Sequence, residues 1–118
     1  MNRRSFTRVP FQADAVVRPR DMEIRGRVKN LSLDGFLLET SEKIPLDEPI
    51  QGRLFISNGS TEFLTDFKGT VVRLADNAMG IRFSGMHVDS FVGLRKIIES
   101  MLDDEEKMRA ELTGRQHG

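Results

Sequence analysis

The sequence predicts a mostly-β fold ending in one helix, and three features carry that expectation. Apolar and polar residues alternate over several short runs before residue 86, the period of a strand with one dry face. The runs are separated by turn formers at Pro19-Arg20-Asp21, Asn30 to Gly35 and Asn58-Gly59, residues that fix or relax φ as turns require. From Asp89 onward the apolar spacing lengthens towards 3.6 residues, the period of an amphipathic helix.

Taken in order, residues 1–10 form a basic arm: Arg3, Arg4 and Arg8 precede any acid, the first of which is Asp14. Val9 stands before Pro10 and is therefore extended, because the proline ring disfavours the helical region for its predecessor. Phe11 to Arg18 reads as a strand with Phe11, Ala13, Ala15 and Val17 on one face. Met22 to Asn30 alternates more clearly, with Met22, Ile24, Gly26 and Val28 facing one way and Glu23, Arg25, Arg27 and Lys29 the other, as in an antiparallel sheet with one wet face. Gly35 to Thr40 resumes as a buried strand, and Pro49 to Ile56 as another before the Asn58-Gly59 turn.

Glu62 to Leu74 forms a longer strand in which Gly69 marks a bulge or bend. Asn77 turns the chain into Met79 to Phe83. The helix is expected over 87–112, with Asp89 as its N-cap and Phe91, Leu94, Ile98 and Met101 on one stripe. That stripe has two open readings, packing on the sheet or receiving a partner. Residues 113–118 are expected to fray.

Composition narrows function by exclusion. The chain has 118 residues, enough for one core and too few for two ordinary domains. Eighteen basic and eighteen acidic residues cancel, which argues against a uniformly basic nucleic-acid coat. The signs are nonetheless segregated, with arginines early and Asp103-Asp104-Glu105-Glu106 late. With no cysteine and two histidines, His87 and His117, disulfides and thiol nucleophiles are excluded and a histidine metal site has little material. No apolar run approaches the ~18 residues of a membrane span, so a soluble, cytoplasmic chain is expected. No catalytic constellation is visible, and the acids near 103 fall on the solvated end of the helix.

Two clusters remain. Guanidinium groups are permanently charged planar forks that match phosphate oxygens two at a time, so the arm is either an anion clamp or a solvated tail. Asn30 and Ser32, spaced two apart, would point to one side of an extended backbone. A plain β-turn is the other reading of that stretch. Lacking a lysine and a following helix, it is not a nucleotide-hydrolase phosphate loop.

In this order and at this separation, Arg4-x-x-x-Arg8 and Asn30-x-Ser32-x-x-Gly35 resemble the two-part signature of the PilZ domain family, whose members bind the bacterial second messenger cyclic di-GMP. The resemblance covers nearly the whole chain. It implies a six-stranded antiparallel β-barrel of split-barrel type over 11–86, followed by the C-terminal helix. It also implies that Arg4 and Arg8 clamp the ligand, that Asn30 and Ser32 add polar contacts, and that Gly35 leaves room for the ligand or holds the turn. Arg3 precedes the motif; it would favour a stacked pair of messengers over one molecule, or it is a solvated neighbour.

The implied ligand carries two phosphodiesters and two guanines, and arginine can pair with the phosphates, read a guanine edge or stack on the base. The mechanism expected is a disorder-to-order change: the arm, ordered by charge-assisted bonds, would redraw one face of the barrel for a downstream protein partner. No cofactor is expected. Two other readings stand beside this one: an interaction module of the same fold that binds no nucleotide, and a barrel that binds single-stranded nucleic acid. The last lacks Trp and Tyr for base stacking.

Overall fold

A computed structural model describes residues 11–58 and 61–101. Six strands run in chain order: β1 Phe11–Arg18, β2 Ile24–Lys29, β3 Gly35–Glu39, β4 Pro49–Asn58, β5 Thr61–Ala75 and β6 Ala78–Gly85. They close into an antiparallel barrel in the order β1-β2-β3-β6-β5-β4. The helix α1 follows and is described over 88–101.

Alternation built the barrel as the sequence predicted. Ala15 and Val17 of β1, Ile24 and Val28 of β2, Phe36 and Leu38 of β3, and Ile50, Leu54 and Ile56 of β4 are all buried. Phe67 and Val71 of β5 join Met79 and Ile81 of β6 to complete the core. Phe36, Phe67 and Phe83 form an aromatic knot with ring centroids 5.4 to 5.6 Å apart; each such pair contributes about 0.5–1.5 kcal/mol beyond its buried area. The phenylalanines of these strands are thus largely spent on packing.

Several boundaries differ from the sequence reading. Met22 lies outside β2 and is 49% exposed, because its N–H bonds the Pro19 carbonyl at 3.4 Å in the preceding turn. Val16 points outward yet is buried; its cross-strand neighbours are Arg25 and Arg53, whose aliphatic stems cover apolar surface while their charged ends stay in water. The bend expected at Gly69 is present as a register shift between Lys68 and Gly69, with a second between Val71 and Arg73.

The helix begins differently from the expectation for Asp89. His87 is the cap: its carbonyl accepts the Phe91 N–H at 3.0 Å and its Nδ1 accepts the Asp89 N–H at 3.2 Å. Asp89 therefore sits inside the first turn, where a carboxylate still favours the helix dipole. Leu94 is fully buried in the barrel core, and Ile97 and Ile98 pack against that core. Phe91, expected on the same stripe, is 41% exposed; Ile97 takes its share of the contact.

Leu31, Leu33, Phe83, Met86 and Phe63 pack on the core together with the helix residues. The helix thus lies over the barrel end that carries the β2–β3 turn. At the same end the β1–β2 ladder stops at Asp14↔Arg27, while β1 stays paired with β4 as far as Phe11↔Asn58 and β2 with β3 as far as Lys29↔Leu37. The two strands part there, and α1 supplies apolar side chains to that end.

Candidate functional site

The turn between β2 and β3 is built around one backbone kink and one hydroxyl. Asn30 has φ of 51°, a left-handed conformation that asparagine tolerates better than most residues. The chain is therefore not extended here, and of the two readings of this stretch the turn is the one observed. Ser32 organises the turn. Its N–H donates to the Gly35 carbonyl at 2.9 Å, and its Oγ accepts the Asp34 N–H at 3.1 Å. The hydroxyl also lies 3.4 Å from the Gly35 carbonyl as a weaker donor. Asn30 is exposed, and among the described residues its side chain has no hydrogen-bond partner.

Gly35 is buried between strands rather than open to solvent. A Cβ there would collide with the Ile81 carbonyl oxygen. Beside the two roles left open for this glycine, room for the ligand and holding the turn, the geometry adds a third, close packing of β3 on β6. The Asp34 carbonyl accepts the Phe83 N–H at 2.8 Å, which ties the turn to β6 from its other side.

The turn also lies beside the entry of the arm. Phe11, where β1 begins, and Lys29, where β2 ends, both lie at the barrel end described above. Arg3, Arg4 and Arg8 fall outside the described residues. Of the six residues singled out from sequence, the fold thus brings Asn30, Ser32 and Gly35 into one turn, at the barrel end where β1 begins.

Charge around the turn is set by outward-facing positions. Lys29 pairs loosely with Glu39 at 3.6 Å. Arg82 of β6, exposed, is the cross-strand neighbour of Gly35. Sequence reading did not single out Arg82. Alternation around Ile81 and Phe83 marks it as outward, but its position beside Gly35 depends on pairing between strands distant in sequence.

Elsewhere, Arg53 donates to Asp66 at 2.8 Å across β4 and β5. The hydrogen bond from Arg53 holds the Asp66 carboxyl below its ordinary range. An open groove of about 700 Å³ has Arg18, Arg53, Asp66, Lys68 and His87 on its rim and does not include the turn. Among the described residues no group of three or more metal-ligating side chains occurs, and no helix is long and apolar enough to cross a membrane.

The family model of the PilZ domain matches residues 2–103. The chain belongs to the PilZ domain family. PilZ domains are binding and regulatory modules, and the family is one of cyclic di-GMP receptors. No curated protein matches the sequence. Among solved structures, this PilZ domain is similar to the PilZ domain of CeSA from a cellulose-synthesizing bacterium, with TM-score 0.57 and 12% identity over 80% of this chain and 97% of that one. It is also similar to the Bacillus subtilis inhibitor of motility (MotI/DgrA), with TM-score 0.58 and 18% identity over 87% of this chain and 53% of that one. At these identities the likeness is one of fold.

Proposed function

We propose that this PilZ domain is a cytoplasmic receptor for cyclic di-GMP, with no cofactor and no catalytic role, whose bound state is read by a downstream protein. The observation that carries the reading is that β1 begins at the barrel end where the β2–β3 turn lies. The arm that carries the motif arginines joins β1 at Phe11, at the barrel end that carries the turn. Arg4 and Arg8 pair with the phosphodiesters, where charge-assisted bidentate bonds are strongest. Asn30 offers an amide, unengaged among the described residues, that can both donate and accept.

Ser32 serves mainly by holding the turn, since its hydroxyl already accepts the Asp34 N–H. Gly35 serves by keeping β3 tight against β6. Arg3 adds a further cation, which favours a stacked pair of messengers over a single molecule. Binding orders the arm against the turn and changes the surface offered to the partner.

Calorimetric titration with cyclic di-GMP tests this directly. The wild-type protein is expected to bind, with the stoichiometry reporting one molecule or two. Arg8→Ala should lose roughly 1.5–3 kcal/mol, the worth of a hydrogen bond to a charged group. A flat wild-type titration would instead leave a PilZ fold that acts as an interaction module without nucleotide.

A further inference from the structure

We infer that Arg82 is a third part of the ligand site, an arginine supplied by the barrel itself in addition to the arm and the turn. The inference rests on the receptor reading above and extends it to a strand that carries neither motif. Three observations converge on this residue. Arg82 is exposed on the outer face of β6, between inward-facing Ile81 and Phe83. Its cross-strand neighbours are Gly35 on one side and Thr70 on the other. Among the described residues no carboxylate lies within ion-pair distance of it, a condition it shares with Arg27 and Arg73, whereas Arg18, Arg20, Arg25, Arg53 and Arg95 each have one.

The geometry makes Gly35 and Arg82 one device. Paired Cα atoms in an antiparallel ladder stand about 5 Å apart, so Arg82 stands directly beside the residue at which the turn enters β3. The Phe83 N–H to Asp34 carbonyl bond, at 2.8 Å, fixes β6 against the turn immediately after Arg82. Arg82 is therefore held on a rigid strand, with Thr70 adding a hydroxyl alongside. An arginine so placed suits directional recognition of a phosphodiester or a guanine edge, because its planar fork loses little freedom on pairing.

The tightness of the β3–β6 contact matters on this account because it sets how far Arg82 stands from Asn30. A ligand lying across the turn towards β6 would meet both the Asn30 amide and Arg82. This gives an anionic, purine-containing ligand a fixed cationic contact that does not depend on how the arm is arranged.

The test is titration of cyclic di-GMP into wild type, Arg82→Ala, Arg82→Lys and, as a charge-matched control, Arg20→Ala. Arg20 lies in the turn between β1 and β2, at the opposite barrel end, and its side chain is 83% exposed. Arg82→Ala is expected to bind about tenfold or more weakly, the loss of one charge-assisted contact. Arg82→Lys should fall in between, and Arg20→Ala should match wild type. Circular-dichroism melting establishes that each variant is folded, and Arg82→Gln replaces the alanine variant if that one does not melt cooperatively. An Arg82→Ala affinity within twofold of wild type, or an equal loss in Arg20→Ala, overturns the inference while leaving the receptor reading intact. Absence of binding by the wild-type protein overturns both.

Discussion

Replacing Gly35 by alanine separates two roles for the most constrained residue of the turn. The added Cβ would meet the backbone carbonyl of Ile81, and backbone cannot swing aside as the end of a long side chain can. Relief requires β3 to move off β6, which strains the Ser32 to Gly35 and Phe83 to Asp34 bonds of 2.9 and 2.8 Å. Overpacking costs about 1–3 kcal/mol, and a weakened hydrogen bond adds about 0.5–1.5 kcal/mol. Against these stands a gain of about 0.4–1 kcal/mol, because alanine restricts the unfolded chain. The net expectation is a loss of roughly 2–3 kcal/mol, or a melting temperature lower by about 8–12 °C at roughly 4 °C per kcal/mol. With no Trp or Tyr in the chain, far-ultraviolet circular dichroism is the suitable readout. A variant that melts within 2 °C of wild type and yet loses cyclic di-GMP binding would refute this reasoning, and would make the glycine a space kept for the ligand.

Two further predictions concern the scaffold. Leu94→Ala should cost about 2–5 kcal/mol, the range for a buried leucine that leaves a cavity, since Leu94 is the helix residue fully buried in the core; urea unfolding with an unchanged slope would measure it, and a loss below 1 kcal/mol would show that the helix is held otherwise. Asp66 should titrate below an ordinary aspartate by carbon-detected NMR and move up in Arg53→Gln, because the Arg53 hydrogen bond favours the ionised form. A lowered folded-state pKa stabilises the fold above the ordinary carboxylate range and loses that effect as pH falls through the lowered value. The stability gap between wild type and Arg53→Gln should therefore narrow on acidification, and a gap that stays constant counts against the pair.

Much of the barrel was legible because its signals are local. Alternation marks Ile24 and Val28 as inward regardless of what they face, and a glycine such as Gly69 announces a bend within its own strand. The turn was legible as a turn, from Asn30, Ser32 and Gly35, but not in its internal bonding. Whether a serine hydroxyl points to solvent or accepts a nearby N–H depends on its rotamer and on the backbone angles of the turn, which spacing does not encode. The helix cap was misplaced for a similar reason. Aspartate is the commoner capping residue, whereas here the chain leaves β6 so that the His87 ring meets the Asp89 N–H. Arg82 was out of reach altogether, because β6 pairs with a strand that is not its neighbour in sequence.

The order in which the barrel can assemble follows from those same pairings. Hairpins β1–β2, β2–β3, β4–β5 and β5–β6 join segments close in the chain. The β1–β4 and β3–β6 seams join residues as distant as Phe11 with Asn58 and Gly35 with Arg82. Loop-closure entropy must be met before such distant contacts return anything, so the two hairpin sets can form before the seams that unite them. The turn motif belongs to the first set and Arg82 to the second. A fragment ending at β3 would hold every motif residue in the chain and still lack the strand against which Gly35 is fitted, so the surface around the turn is a product of the last closure.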